Sequence, residues 1–161
     1  MPGTMNSVYA LGMSEMFIRL AVATLAGAAL GLNRELKGKP AGLRTHALVT
    51  LGAALASVTI IYATAPETDP NALSRVVQGI ITGIGFIGAG VILRDAAGRR
   101  VRGLTTAATI WVAASLGVAC GVGYWSAVAA ATLLTLAVLV LGGRIELLAT
   151  RIFGAGDEDD S

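Results

Sequence analysis

Three long stretches without any charged residue constrain the fold of this chain more than any other feature of its sequence. No Asp, Glu, Lys or Arg occurs at 47–66, 76–93 or 103–143. A helix needs about 20 apolar residues to cross a bilayer core about 30 Å thick, so the third stretch has room for two spans. Only 14% of the residues are charged and 55% are hydrophobic, whereas about 25% are charged in ordinary soluble domains. The chain is therefore predicted to lie in a lipid bilayer.

The predicted fold class is all-α, a polytopic membrane helical bundle with about five transmembrane helices. We expect one transmembrane domain at 1–143, followed at 144–161 by a cytoplasmic tail whose acidic end is disordered. In the first helix, Glu15 and Arg19 are four residues apart and are expected to form an ion pair. The five expected spans are Met13 to Leu32, His46 to Ala65, Val76 to Leu93, Leu104 to Val122, and Trp125 to Leu141.

The charges of the loops predict how the bundle is oriented. Segments 33–44 and 94–102 each contain four basic residues and one acidic residue, whereas the connection between the second and third helices contains two acidic residues and one basic residue. Basic loops are held preferentially on the cytoplasmic side of a membrane. The N-terminus is therefore expected outside and the C-terminus inside. Because this topology accounts for the basic residues, we expect no nucleic-acid partner.

The segment GIGFIGAG at 83–90 has the glycine spacing of a dinucleotide-binding fingerprint. Such a fingerprint follows a strand, opens a helix and needs an acidic residue about 20 positions later. This segment lies inside an apolar run, and no acidic residue occurs between Asp95 and Glu146. We therefore expect no nucleotide cofactor, and assign the glycines to close packing of membrane helices. The predicted packing residues are Gly27 and Gly31 on the first helix and Gly79, Gly83, Gly85, Gly88 and Gly90 on the third.

The glycines of the third helix fall on two opposite sides at about 100° per residue. Two alternatives follow from this distribution. Either the third helix is central in the bundle, or one of its sides faces the protomer and the other contacts a second copy of the chain. The expected oligomer is a homodimer through this glycine face.

A shift of 61 positions aligns residues 27–48 with residues 88–109 at seven identical positions, which indicates a possible parallel repeat of two helical hairpins. Two such hairpins would be related by a pseudo-twofold axis along the membrane normal. Helices starting near Gly42 and Gly103 would then present their N-termini, which carry partial positive charge, at the cytoplasmic face. This face should prefer an anion or an acidic partner. Alternatively, Thr45 and Thr106 cap these helices and the basic residues only set topology.

Three segments of the chain resemble the MgtC/SapB membrane protein family. They are GLNRELKGKPAGLRTH at 31–46, GIGFIGAGVILRD at 83–95 and VRGLTTAATIWVAASLG at 101–117. The resemblance covers most of the chain and implies a multi-pass protein of the bacterial inner membrane that is linked to adaptation to low magnesium and, in some pathogens, to virulence. It also implies regulation of other membrane proteins, such as a P-type ATPase or the F-type ATP synthase. Two departures from these members are expected: a short form without the soluble C-terminal domain that better-studied virulence members carry after the last span, and Thr105, where a virulence-type member can have Asn.

The predicted functional cluster lies on the two basic loops and the helix starts that follow them. We expect an ion pair between Arg34 and Glu35, while Arg44 and Arg102 supply hydrogen-bond donors to a partner. His46 is expected to be a hydrogen-bonded packing residue, with a metal-ligand or proton-relay role as the alternative. The complete predicted cluster is Asn33, Arg34, Glu35, Arg44, Thr45, His46, Asp95, Arg102, Thr105 and Thr106.

Neither an enzyme nor a carboxylate-lined cation path is expected from this sequence. No nucleophile, base and orienting acid can be assembled from it, so no catalytic residue is assigned. Divalent cations prefer several oxygen ligands that include carboxylates, yet the second to fifth predicted helices contain no Asp or Glu. We therefore expect no metal site and no cofactor. A regulator of membrane transport proteins is the leading interpretation, and a transporter or channel for magnesium or another small solute is the alternative.

Overall fold

The structure is a computed structural model that describes residues 12–64, 69–94 and 101–153, and five helices make up most of this part of the chain. Each of the five is long and apolar enough to cross a membrane. This confirms the predicted all-α fold class with five candidate spans. The helices are α1 (Met13–Leu36), α2 (Leu43–Ala63), α3 (Pro70–Gly90), α4 (Leu104–Val122) and α5 (Trp125–Phe153).

The connection between α3 and α4 contains a short antiparallel pair of strands, β1 (Leu93–Arg94) and β2 (Val101–Arg102). Because β1 needs extended backbone, α3 ends at Gly90 rather than at Leu93 as the sequence predicted. Gly103 then starts α4 with a φ of +92°. A Cβ at this position would be 3.3 Å from the Cα of Ile92. Only glycine combines this left-handed backbone with such a close neighbour.

α4 lies at the centre of the bundle, where it packs against all four other helices. Half of its candidate membrane-spanning segment is buried, whereas 11% of the corresponding segment of α3 and 6% of that of α5 are buried. The alternative that placed the third helix at the centre is therefore wrong. α3 lies at the side of α4 and α2, and α5 is peripheral.

Close contact between α1 and α2 depends on the two glycines predicted on the first helix. A Cβ on Gly31 would be 2.5 Å from the carbonyl oxygen of Gly42 and 2.6 Å from the Cα of Leu43. A Cβ on Gly27 would be 2.5 Å from the carbonyl oxygen of His46. Any side chain at either position would force the two helices apart, so the predicted packing role fits these residues.

Two glycines that the sequence analysis did not single out have the same role between α4 and α2. A Cβ on Gly117 would be 2.8 Å from the Cβ of Ala53, and one on Gly121 would be 2.6 Å from the Cβ of Ser57. Their spacing of four residues is the small-residue pattern of membrane helix packing. The signal was therefore present in the sequence, but the denser glycine segment of α3 obscured it.

The glycines of α3 largely lack close neighbours within the protomer. Gly88 has the Cβ of Ala107 at 3.6 Å from the position of an added Cβ, which is ordinary contact with α4. A packing role inside the protomer is wrong for the other four, because a Cβ added there would meet no atom within 4 Å outside their own helix in the described chain. These four are Gly79, Gly83, Gly85 and Gly90.

The helix packing agrees with two related hairpins, although their connections differ. The second helices of the two hairpins, α2 and α4, are in contact, and α1 and α3 each pack against both of them. A pseudo-twofold axis between α2 and α4 would produce this arrangement. The first connection contains no strand, and α2 starts after Gly42 with a φ of −85°, whereas Gly103 is left-handed.

Arg19 ties α1 to α4 at the end of the bundle where α1 starts and α4 ends. Its Nη2 lies 3.0 Å from Oε1 of Glu15, which confirms the predicted ion pair. Its Nη1 also donates a hydrogen bond of 2.7 Å to the carbonyl oxygen of Gly121. Because the last carbonyls of a helix have no intrahelical donor, this bond satisfies an acceptor at the end of α4.

α5 is longer than its predicted span, because it continues to Phe153. Its 29 residues correspond to about 43 Å, which exceeds a hydrocarbon core of about 30 Å. Residues 144–153 of the predicted tail are thus helical. The acidic end at 157–160 lies outside the described residues, and the predicted division into domain and tail stays a prediction.

Candidate functional site

A cavity of about 610 Å³ opens at the end of the bundle where α1 ends and α4 begins. We call this cavity the basic cleft, because three of the described residues that line it are basic and none of them is acidic. Its volume lies within the range of about 300–1,000 Å³ that is typical of small-molecule sites. The lining residues are Arg34, Gly38, Lys39, Pro40, Val101, Arg102, Gly103, Leu104, Thr105 and Thr106.

Arg34 is the most deeply buried basic residue of the basic cleft, with 5% of its surface exposed. Its Nη2 donates a hydrogen bond of 2.6 Å to Oγ1 of Thr106, which is also buried. Its Nε has no hydrogen-bond partner within the described ranges. No described carboxylate lies within 4 Å of it, so the predicted ion pair with Glu35 is wrong. A guanidinium without a partner charge is costly to bury, which makes Arg34 a strong candidate for binding an anion.

The first turn of α4 adds backbone donors to the same cleft. Its N-cap residue is Gly103, and no side chain caps this end among the described residues. The N–H groups of a first helical turn have no intrahelical acceptor and carry partial positive charge. The hydroxyl of Thr106 accepts a hydrogen bond from Arg34, and the predicted cap by this hydroxyl is absent from the bonds of the described residues. Thr105 is exposed and also lines the cleft.

The first turn of α2 differs from that of α4, because an acidic side chain already occupies it. Oε2 of Glu35 accepts a hydrogen bond of 2.9 Å from the backbone N–H of Leu43. Glu35 therefore satisfies the start of α2, and the predicted cap by Thr45 is absent from the bonds of the described chain. An anion would be repelled at α2 and attracted at α4.

The remaining predicted site residues lie outside the lining of the basic cleft. His46 is fully buried, and its Nδ1 lies 3.0 Å from the carbonyl oxygen of Gly42, which fits the predicted packing role. Nε2 of His46 and Oδ1 of Asn33 are buried without a partner in the described part of the chain. Arg44 is exposed and does not line the cleft. Asp95 lies outside the described residues.

The structure thus brings together four of the predicted residues, namely Arg34, Arg102, Thr105 and Thr106. Sequence reasoning missed Lys39, which lines the same cleft from the connection between α1 and α2. The sequence analysis used the charge of Lys39 only to predict the orientation of the bundle in the membrane. The sequence did show a basic residue a few positions after the end of a helix. Only the packing of the hairpins shows which cavity this residue lines.

Comparison with known proteins identifies the family of this chain. The model of the MgtC family matches residues 20–148. Protein SrpB of Synechococcus elongatus is 46% identical over an alignment of 147 residues that covers 86% of this chain and 79% of that protein. Protein MgtC of Salmonella typhimurium is 42% identical over 129 residues, which are 80% of this chain and 53% of that protein.

The Escherichia coli K12 protein named "Putative magnesium transporter YhiD" is 40% identical over an alignment of 130 residues that covers 78% of this chain and 60% of that protein. The matched part of this chain therefore spans about half of MgtC and three fifths of YhiD. No solved structure matches this chain. The family model covers most of the sequence and the relatives are 40–46% identical over most of it, so the chain belongs to the MgtC family.

Proposed function

We propose that this protein is a regulatory partner of other transport proteins in the bacterial inner membrane and acts in adaptation to low magnesium. Its partner engages the basic end of the bundle, where Arg34, Lys39 and Arg102 line the basic cleft. The observation that carries this proposal is the buried guanidinium of Arg34, which faces a cavity whose described lining contains no acidic residue. The positive-inside rule supports a cytoplasmic position for this cleft, with the N-terminus outside and the C-terminus inside.

Transport of magnesium is the second candidate, and the name of the YhiD relative favours it. The electrostatics of the basic end favour regulation instead. A hydrated dication that approached the bundle there would meet the three basic side chains of the cleft, while α2, α3 and α4 contain no acidic residue. The carboxylate of Glu35 at the start of α2 is held by the backbone N–H of Leu43. Magnesium sites usually combine carboxylates with waters or phosphate oxygens. The described residues contain no cluster of three or more His, Cys, Asp or Glu side chains.

We further propose that the open side of α3 contacts a second copy of the chain in a homodimer. Glycine inside a helix costs about 0.5–1 kcal/mol relative to alanine, so several glycines need a compensating contact. Gly27, Gly31, Gly117 and Gly121 have such contacts within the protomer, whereas the open glycines of α3 do not. Close approach by the same helix of a second copy would supply it.

Two experiments test the regulatory function. Purified protein in sealed vesicles that contain a magnesium-sensitive dye should give no flux above that of empty vesicles. In a strain that lacks the gene, the wild-type chain should restore growth at low magnesium, and Arg102→Ala should fail to restore it while still reaching the membrane. Arg44→Ala is the matched control, because Arg44 is an exposed arginine near the same end that does not line the cleft. Saturable magnesium flux, or full complementation by Arg102→Ala, would contradict the proposal.

A further inference from the structure

We infer that the basic cleft binds a phosphoryl group, carried either by a soluble phosphorylated molecule or by a phospholipid headgroup. The inference deepens the proposed function, on which it rests for the use of this cleft, by naming the chemistry that the cleft recognises. Two independent observations support it. One is the uncapped start of α4, and the other is the buried side chain of Arg34 with an unpartnered Nε.

The donors of the cleft come from three separate segments of the chain. Arg34 lies near the end of α1, Lys39 follows α1, and Arg102 immediately precedes the glycine that starts α4. The backbone N–H groups and the Thr105 hydroxyl of the first turn of α4 are donors at the same cavity. Donors from several directions suit a tetrahedral anion with three or more oxygens better than a planar carboxylate with two.

The charge of the cleft also favours a phosphoryl group. Three basic side chains line the cavity and no acidic residue of the described ranges does, so the cavity is matched to an anion such as a phosphoryl group. The start of a helix is a common binding site for phosphate, because its N–H groups and its dipole act together. The equivalent start of α2 cannot compete, since Glu35 already accepts a hydrogen bond there.

The size of the cleft indicates that the phosphoryl group belongs to a larger molecule. A cavity of about 610 Å³ is large enough for a ligand of many atoms, and a free phosphate ion would fill only a small part of it. The phosphoryl group lies against Arg34 and the start of α4, where the most buried donor is. The remainder of the ligand occupies the part of the cleft lined by Gly38 and Pro40.

Calorimetric titration of the purified protein in a phospholipid-free detergent tests this inference, with inorganic phosphate as the probe and acetate as the carboxylate control. We expect saturable phosphate binding and weaker acetate binding. Arg102→Gln should raise the Kd for phosphate at least about tenfold, because a hydrogen bond to a charged group is lost. Arg44→Gln, which removes the same charge outside the cleft, should leave the Kd within about twofold. Thr105→Val gives a second exposed variant that should fold and bind more weakly.

The source of the phosphoryl group is found by repeating the titration in nanodiscs. If phosphatidylglycerol abolishes binding of free phosphate and phosphatidylcholine does not, the natural ligand is an anionic lipid headgroup. If phosphate binds equally in both, the ligand is soluble. The inference is overturned if acetate binds as tightly as phosphate, or if Arg44→Gln weakens binding as much as Arg102→Gln. It is also overturned if phosphate binds neither in detergent nor in nanodiscs of either lipid. Complementation that still depends on Arg102 would then leave the regulatory proposal standing.

Discussion

Replacement of Gly31 by alanine tests whether the contact between α1 and α2 positions the basic cleft. The added Cβ would be 2.5 Å from the carbonyl oxygen of Gly42 and 2.6 Å from the Cα of Leu43. Both neighbours are backbone atoms, so no rotamer change can relieve the overlap. Ordinary contact begins at 3.4 Å, which means that α1 must move away from α2 by about 0.9 Å.

Such a displacement should lower both stability and ligand affinity. Overpacking of a tight interface typically costs about 1–3 kcal/mol, and we expect the free energy of unfolding to fall by this amount. Arg34 follows Gly31 by less than one helical turn, so it moves with α1. The 2.6 Å bond from Arg34 to Thr106 joins α1 to α4 and should lengthen or break. Phosphate binding in the basic cleft should therefore weaken in the same variant.

Unfolding by SDS titration from mixed micelles measures the first effect, and the phosphate titration measures the second. Gly52→Ala is the matched control on α2, because a Cβ there would meet no atom within 4 Å outside its own helix in the described chain. We expect this control to be stabilised by up to about 0.5–1 kcal/mol, since alanine is the better helix former. Equal unfolding free energies for the two variants would refute the assignment of Gly31 to the helix contact.

Further predictions concern the buried arginine, the dimer, the opposite end and the orientation. Arg34→Met should keep or raise stability, because it removes a buried charge with no described carboxylate nearby, but should abolish phosphate binding in the calorimeter. Gly83→Cys on the open side of α3 should crosslink two copies in native membranes, whereas Gly52→Cys, also open, should give only monomer on non-reducing gels. Arg19→Met should lower the free energy of unfolding by about 1–3 kcal/mol, because it leaves a carbonyl at the end of α4 without its donor. A cysteine at Lys39 should react with an impermeant maleimide only after the cells are permeabilised, and labelling of intact cells would reverse the proposed orientation.

The number and type of the helices could be predicted from the sequence because lipid imposes a strong and local constraint. The charge-free stretches at 47–66, 76–93 and 103–143 are runs of consecutive residues. They therefore predict membrane spans without knowledge of any tertiary contact. Helix ends were less predictable. α5 extends to Phe153, because polar residues beyond the membrane are compatible with a helix. Hydropathy predicts only the part of a helix that lies inside the lipid, so it did not predict where α5 ends.

The packing and the site were less predictable because they depend on residues far apart in the sequence. Glycine spacing shows which side of a helix carries small residues, but not whether another helix packs there. The pattern alone therefore could not distinguish Gly121, which packs against α2, from Gly83, which is open. The bond from Arg34 to Thr106 joins residues 72 positions apart. Local reasoning paired Arg34 with the adjacent Glu35 instead. That choice ignored the backbone N–H of Leu43, which the folded α1–α2 connection brings to this carboxylate.

The difference between the two predicted hairpins would explain why the proposed anion site lies at the start of α4 and not at the start of α2. In the alignment that relates them, Glu35 corresponds to Ala96 and Gly42 corresponds to Gly103. The first hairpin therefore supplies an acidic side chain that caps its own second helix. The second hairpin has no acid at the equivalent position, and the described start of α4 has no side-chain cap. Arg34 of the first hairpin lines the cleft at this uncapped start. The anion site is thus shared between the hairpins, and its binding strength should follow how closely α1 packs against α2 and α4.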